Sequence, residues 1–323
     1  MSYDADLIVD RRRMRRKLTF WRVAAALIAL VAIVGAGAYA ARRTGLPGEQ
    51  SIARVTIEGL IRSDNDRVAA LDRLARSRAA AVIVHINSPG GTTAGSEQLH
   101  DALLRLKEKK PVVVVVEGLC ASGGYITAIA ADHIIAQSTS LVGSIGVLVQ
   151  YPNFAELMKT VGVKVEEVKS SPLKAAPNGF EPTSEAARAA LGDLVRDSYA
   201  WFRGLVKDRR SMDDATLEKV ADGRVFTGRQ AIALKLVDQL GDEKTAIAWL
   251  AAEKKISDKL PVRDYKLDQR LGDLSFLKLA ASAALDAAGL NTLARMIADP
   301  AVMATNGLAL EGVLALWRPD LAN

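Results

Sequence analysis

Hydrophobic positions after residue 50 follow two different periods, and together they predict an α/β fold. The runs at 81–86 (AVIVHI) and 111–116 (PVVVVV) are apolar throughout, as expected for strands buried on both faces of a parallel sheet. Between and beside them, 64–78 and 94–107 place apolar residues at helical spacing. Because strand and helix alternate, we expect a largely parallel sheet covered by helices. Two further strands are predicted at 52–58 and 133–136.

The second half of the chain has a mainly helical pattern. Helices are predicted at 183–209, 213–222, 229–237 and 242–254. The last fifty residues are rich in alanine and leucine, which predicts apolar helices able to face an oligomer partner. The expected organisation is a linker at 42–51, a catalytic domain at 52–255 and a C-terminal helical region at 256–323.

An uncharged apolar stretch near the N-terminus predicts a membrane anchor. Residues 23–41 carry no charge, and about 20 apolar residues suffice for a helix to cross a bilayer. The basic residues before this stretch predict that residues 1–22 stay in the cytoplasm and that the rest is exported. Two alternatives remain open. The run Ala38-Tyr39-Ala40 resembles a signal-peptidase site, so the segment could be a cleaved leader. It could also be a buried core helix.

The positive charge of the chain is concentrated in one place. The net charge is +6, and a single block before the apolar stretch supplies as many basic residues, namely Arg11, Arg12, Arg13, Arg15, Arg16 and Lys17. No basic face is left over, so a nucleic-acid partner is not expected. The single cysteine, Cys120, cannot form an intrachain disulfide and lies in an apolar run, which predicts a buried structural thiol. The three histidines lack the spacing of a metal site.

Two glycine-rich turns follow two of the predicted strands. They are SPGG at 88–91 and SGG at 122–124. Carboxyl ends of parallel strands meet at one edge of the sheet, so both turns should lie together. Glycine lets backbone N–H groups come close to a ligand, and two such groups aimed at one oxygen make an oxyanion hole. Ser122 is therefore a candidate nucleophile.

A serine nucleophile needs a base, and the sequence offers no evident Ser-His-Asp arrangement. His85 and His133 lie within or beside apolar strands, which is typical of core histidines. Lysine is the known alternative, provided that a dry pocket lowers its pKa by about 3–5 units. Lys169 and Lys174 lie in a loop-like stretch, but composition alone favours a solvated surface charge for Lys174.

Five runs, in this order, resemble the signal peptide peptidase A family over roughly residues 52–250. They are HINSPGG (85–91), EGLCASGGYITAIAADHIIA (117–136), VGSIGVL (142–148), VKSSPLKAAP (168–177) and DGRVFTGRQAIALKLVDQLG (222–241). The resemblance implies a crotonase/Clp-protease-like fold and a Ser-Lys catalytic pair. The implied roles are nucleophile for Ser122, general base for Lys174, support of that lysine for Ser144, and oxyanion donors for Gly123, Gly90 and Gly91.

One position departs from the family pattern. Many members carry an aspartate directly after the lysine, whereas Ala175 stands here. Lys169 is therefore kept as the alternative base.

The function implied by the resemblance is that of a membrane-anchored serine endopeptidase. Its substrates would be cleaved signal peptides or other apolar peptides near the membrane. It would be held by a single span in the inner (plasma) membrane of a bacterium, with its catalytic domain on the extracytoplasmic side.

Family members form homo-oligomeric rings, and in short members the serine and lysine of one site come from neighbouring subunits. No cofactor or metal is expected. The alternatives are a crotonase-like enzyme acting on acyl-CoA and a non-catalytic membrane scaffold.

Overall fold

The computed structural model describes residues 21–22, 50–267 and 314–316. Among these residues, no helix is both long enough and apolar enough to cross a membrane. The predicted anchor at 23–41 lies outside the described residues, as does nearly all of the linker.

The strands in the described residues form one large sheet and one short ladder. They are β1 (Ser51–Glu58), β2 (Ala79–Ser88), β3 (Gly90–Thr92), β4 (Val112–Ala121), β5 (His133–Ala136), β6 (Leu141–Gly143), β7 (Val225–Thr227), β8 (Gln239–Leu240), β9 (Val262–Asp264) and β10 (Leu314–Leu316). The large sheet runs in the order β7-β6-β4-β2-β1-β9, and β5 joins β4 to β8. Every pairing in it is parallel except β6 with β7.

Helices connect the strands, as the alternating pattern predicts. In the range 50–267 they are α1 (Asn65–Ala75), α2 (Thr93–Lys107), α3 (Gly123–Ala128), α4 (Ala155–Thr160), α5 (Glu185–Arg210), α6 (Asp214–Val220), α7 (Gly228–Ala233) and α8 (Glu243–Lys254). Asp64 accepts hydrogen bonds from the first turn of α1, and Ser184 does the same for α5. The α/β class and the mostly parallel sheet are therefore confirmed.

Both faces of the central strands are buried, which explains their uninterrupted apolar runs. Along β4, Val114 packs into the larger core, which also holds residues of α1, α2, α3 and α5. Its neighbours Val113 and Val115 point the other way, into a smaller core closed by Ala246 and Leu250 of α8. Helices thus cover both faces of the central strands, and the carboxyl ends of these parallel strands lie at one edge of the sheet.

β4 contains an irregularity shortly before the predicted nucleophile. Ile86 pairs with Val116 and Ser88 with Cys120, so only Asn87 of β2 lies opposite three residues of β4. Asn87 Oδ1 accepts a hydrogen bond from Leu119 N at 3.2 Å, which holds the bulge against β2. A bulge bends its strand and redirects the side chains that follow. Through this bulge β4 continues to Ala121, five residues beyond the apolar run.

The expected helical region at 256–323 differs where it is described. Residues 256–267 contain the short strand β9, and residues 314–316 form β10, while the remainder lies outside the described residues. β9 is a strand because it adds to the edge of the sheet beside β1, in a parallel pairing that helical periodicity does not reveal. β10 pairs antiparallel with β3, the strand of the first glycine turn.

We predict a pH-dependent contribution of Glu243 to stability. Hydrogen bonds from Arg54 and then from His85 lower the pKa of Glu243 below its ordinary value of 4.5. Such a group stabilises the fold above pH 4.5, and this contribution is lost as the pH falls through the lowered pKa. Glu243→Gln should therefore cost about 1 kcal/mol at pH 7, since solvent screens a partly exposed pair.

Thermal unfolding of the wild type and of Glu243→Gln across pH 3–7 tests this contribution of Glu243 to stability. The difference between wild type and Glu243→Gln should shrink towards the acid end. Glu253→Gln, on the exposed side of the same helix, serves as the control and should change little. A Glu243→Gln deficit that stays constant with pH would contradict the ionic origin.

Candidate active site

Ser122 occupies a strained turn between β4 and α3. Its φ of 54° and ψ of −116° lie where L-residues rarely occur, at a cost of about 1–3 kcal/mol. Two backbone hydrogen bonds hold this conformation: Ser122 N donates to Gly143 O at 2.7 Å, and Ile126 N donates to Ser122 O at 2.9 Å. Strain of this kind is common at functional sites, where the surrounding structure enforces it.

The hydroxyl of Ser122 is buried without a hydrogen-bond partner in the described part of the chain. The residue has no exposed surface, and its Oγ contacts no donor or acceptor there. Burying a hydroxyl without a partner costs about 1–3 kcal/mol. The hydroxyl at the end of β4 therefore lowers the stability of the fold.

Ser144 lies next to Ser122 at the same edge. β4 and β6 are parallel and pair Ala121 with Gly143, so both serines directly follow a paired residue. Ser144 also has a positive φ, 53°, is almost fully buried, and donates its N–H to Arg224 O at 2.8 Å. The structure thus brings together the two serines that the sequence singled out.

The two glycine turns contact each other. Ser88 pairs with Cys120, which places the turn at 88–91 beside the turn at 122–124. A Cβ atom added to Gly124 would stand only 3.0 Å from Ser88 O, so a side chain at this position would push the turns apart. A Cβ added to Gly91 would stand 1.8 Å from Ile61 O, so glycine is required there too.

The backbone N–H groups of the first turn point in different directions. Gly90, at a φ of 104°, donates its N–H to Ser88 Oγ at 3.1 Å. Gly90 O accepts from Ile61 N, and Thr92 N donates to Ile61 O, both at 2.9 Å. Because successive residues of a strand present their backbone groups to opposite sides, Gly91 N–H faces the other side, towards β10. Of the two glycines, Gly90 therefore has its N–H taken by the Ser88 hydroxyl, whereas the N–H of Gly91 faces β10.

Lys174 lies apart from these residues in the described structure. It belongs to an exposed loop, where its backbone N donates to Ser171 O at 3.1 Å. Within the described residues its ammonium group has no hydrogen bond or ion pair, and it does not bond to the hydroxyl of Ser122. The pair expected from the sequence is therefore not assembled within this single chain.

Lys169, the alternative base, is held by two carboxylates. Its Nζ lies 2.6 Å from Glu167 Oε2 and 2.7 Å from Glu181 Oε1. Hydrogen bonds that its ammonium group donates to Glu167 and then to Glu181 raise the pKa of Lys169 above its ordinary value. A lysine held in this way stays protonated and is poorly suited to accept a proton.

The segment between β6 and α5 exposes many apolar side chains. We call residues 148–180 the arm; Lys174 lies on it. Its large exposed apolar residues are Leu148, Phe154, Leu157, Val161, Val163, Val165, Val168, Leu173 and Phe180. Large apolar side chains exposed at this density along one segment are typical of an interaction surface.

The cysteine and two of the histidines make structural contacts in the described part of the chain. Cys120 is fully buried, and burial raises the pKa of its thiol far above the ordinary value. His85 bonds Glu243 at 2.8 Å, and His133 stacks on Trp249 with ring centroids 4.6 Å apart. The prediction of a structural thiol is confirmed. Both histidines have partners, as predicted, but they are partly exposed and are not core residues.

Two residues that shape this edge of the sheet were not predicted from the sequence. Asn87 pins the bulge of β4, and Ser88 bonds the backbone of its own turn. A serine followed by Pro-Gly-Gly is a signal for a side chain that bonds nearby backbone, and it could have revealed Ser88. The bulge has no comparable signal, since it depends on the pairing of two distant strands.

A buried serine on a strained turn, at the carboxyl edge of a mostly parallel sheet, is the arrangement expected of an α/β serine hydrolase. The model of peptidase family S49 matches residues 104–257. The chain is 36% identical over 204 residues to "Putative protease slr0021" of Synechocystis sp., covering 62% of this chain and 74% of that protein. The chain belongs to peptidase family S49.

Two further relatives carry more specific names. The chain is 32% identical over 188 residues to "Putative signal peptide peptidase SppA" of Enterococcus faecium, covering 58% of this chain and 54% of that protein. It is 32% identical over 222 residues to "Serine protease SPPA, chloroplastic" of Arabidopsis thaliana, covering 68% of this chain and 31% of that protein. The chain thus spans about half and about a third of these two relatives. By family it is a serine peptidase.

Among solved structures, a ClpP1 mutant from Listeria monocytogenes matches with a TM-score of 0.41 and 16% sequence identity. The match covers 58% of this chain and 91% of that one. Beyond the α/β class and the mostly parallel sheet, the crotonase/Clp-protease-like arrangement stays a prediction.

We predict that removing the hydroxyl of Ser122 stabilises the protein. Ser122→Ala deletes a buried group without a partner, which should raise the free energy of unfolding by about 1 kcal/mol. Ser140→Ala is the matched control, since Ser140 is also buried but donates to Val116 O at 2.8 Å. That variant should lose about 1 kcal/mol. Thermal unfolding of the three proteins measures both effects, and equal losses in the two variants would show that the Ser122 hydroxyl is satisfied.

Proposed function

We propose that this chain is a membrane-anchored serine endopeptidase that uses Ser122 and Lys174 to cleave apolar peptides close to the membrane. Cleaved signal peptides are the substrate class that we favour. The observation that carries the proposal is the state of Ser122. Its backbone is strained, and its buried hydroxyl has no hydrogen-bond partner in the described residues. A group kept in this costly state at a sheet edge is poised for reaction rather than for packing.

Lys174 is the base of this proposal because of its surroundings. Lys169 is fixed by Glu167 and Glu181, whereas the described residues give Lys174 no carboxylate to bond. A lysine becomes a base at neutral pH only when burial disfavours its charge. The exposed Lys174 would therefore need a further surface to cover it.

A second copy of the chain is the partner that we propose for that surface. The arm carries Lys174 among exposed apolar side chains, so association would bury them together. Burial in an interface would lower the pKa of the ammonium group and deliver it to the Ser122 of a neighbour. This supports a homo-oligomer whose active sites combine residues of adjacent subunits.

The edge beside Ser122 suits an extended peptide. β3 carries Leu314–Leu316 as an antiparallel partner, with Ala315 opposite Gly91. A peptide substrate would pair with β3 in the place that Leu314–Leu316 occupy here, since addition of a strand to a sheet edge is a common way to bind a peptide. The residues 314–316 are small or apolar, which supports apolar peptides as substrates. The name of the Enterococcus relative, signal peptide peptidase, agrees with this class.

The proposed location rests on the sequence of the N-terminus. The uncharged stretch at 23–41 behind a basic block supports a single span in the inner membrane of a bacterium, with the catalytic domain outside the cytoplasm. An anchor of this kind would keep the active site close to peptides released in the bilayer.

The proposed reaction is acyl transfer through a covalent intermediate. The neutral amine of Lys174 takes the proton of Ser122 Oγ, which attacks the peptide carbonyl carbon. The N–H groups of Gly91 and Gly123 hold the carbonyl oxygen as it becomes negative. The protonated lysine then gives its proton to the leaving amine, and water hydrolyses the acyl-enzyme. Ser144, beside Ser122, holds the amine in position.

Substitution of each lysine by arginine distinguishes the two candidate bases. Arginine keeps the charge and the hydrogen bonds of a lysine but does not give up its proton in proteins. Lys174→Arg should therefore abolish peptide cleavage, with a loss of at least about 10²-fold in kcat. Lys169→Arg should keep most of the activity, because Lys169 acts through its ion pairs.

The assay uses the full chain in detergent, an apolar peptide substrate and a fluorophosphonate probe that labels activated serines. Labelling that disappears in Ser122→Ala supports the peptidase over an acyl-CoA enzyme or an inert scaffold. Loss of activity in Lys169→Arg with full activity in Lys174→Arg would overturn the assignment of the base.

A further inference from the structure

The hydrogen bonds of Ser88 join two separate parts of the edge. Ser88 is fully buried, and its Oγ donates to Gly59 O at 2.7 Å while it accepts from Gly90 N at 3.1 Å. Gly59 directly follows β1, whereas Gly90 begins β3. One side chain thus ties the end of β1 to the first glycine turn, and both its donor and its acceptor capacity are used.

The bond to Ser88 holds the first of the two glycines in this turn. Ser88 accepts the N–H of Gly90, which has a φ of 104°. Gly90 O and Thr92 N both bond Ile61, so the N–H of Gly91 between them faces β10. Without the hydroxyl, the buried Gly90 N–H would lose its acceptor, and the turn would shift to find another.

Ser88 also contacts the turn that carries Ser122. Its carbonyl oxygen would stand 3.0 Å from a Cβ added to Gly124, and its own Cβ would stand 3.4 Å from that atom. The backbone of the second turn is therefore packed directly against Ser88. A single buried residue touches both turns and sets the spacing between them.

We propose that Ser88 is a positioning residue that holds the N–H groups of Gly91 and Gly123 at the spacing needed to stabilise a developing oxyanion. This rests on the proposed function of the site. Ser88 does not touch the reacting atoms. It acts through the two glycine turns, so its loss weakens binding of the transition state more than binding of the substrate.

The test compares wild type, Ser88→Ala and Ser140→Ala as full chains in detergent. Ser140 is the matched control, since it is buried and donates to Val116 O at 2.8 Å without bonding either glycine turn. Ser88→Ala should lower kcat by about 10- to 100-fold with little change in KM, less than the 10²–10³-fold typical of removing a donor outright. Ser140→Ala should keep its kcat although it also loses a buried hydrogen bond.

A peptide aldehyde supplies a second readout. It adds reversibly to the serine and places an oxyanion in the same position, so its inhibition constant should rise in Ser88→Ala by about the factor lost in kcat. Ser88→Cys keeps the size of the side chain with a weaker donor, and it should give an intermediate kcat. This variant decides the question if Ser88→Ala fails to fold.

The outcomes separate this inference from the proposed function. If Ser122→Ala remains active, the proposed function fails. If Ser122→Ala is inactive but both Ser88 variants keep the wild-type kcat, only the role of Ser88 is overturned. Equal losses of kcat in Ser88→Ala and Ser140→Ala would also overturn it, because they would reflect a general loss of packing.

Discussion

The site depends on the hydrogen bond between Ser122 N and Gly143 O. This bond joins the ends of β4 and β6 and helps hold Ser122 in a backbone conformation that an L-residue would otherwise leave. Three other features lie at the same edge. Ser144 directly follows Gly143 at the end of β6, and the turn at 122–124 packs against Ser88. The bulge that Asn87 holds in place lies just before the end of β4.

In the proposed site, the serine follows a buried strand, whereas the lysine lies on an exposed segment. Two helical layers clamp the strands that end at Ser122, so the position of this residue is fixed by a full core. Lys174 instead lies on an arm with many exposed apolar side chains. A polar catalytic group and a large apolar surface on one segment are explained together if association of subunits both forms the interface and dehydrates the amine.

Much of the sheet could be predicted from the sequence because its strands are buried on both faces. The apolar runs at 81–86 and 111–116 have no other simple interpretation, and the glycine turns after them indicated the edge at which Ser122 lies. Features that depend on pairing between distant segments could not be predicted. The bulge opposite Asn87 and the pairing of β10 with β3 leave no periodic pattern in the chain. The ion pairs of Lys169 could not be predicted either, since Glu181 lies 12 residues further along the same irregular segment.

The central claim is that one active site takes its serine and its lysine from different subunits. Co-expression of Ser122→Ala with Lys174→Ala tests it most directly, because neither variant alone holds a complete pair. In randomly mixed oligomers, an intact Ser122 meets an intact Lys174 at about a quarter of the sites, so that fraction of the wild-type peptide cleavage should return. Mixed oligomers that stay as inactive as each parent, while assembly is confirmed, would contradict the account.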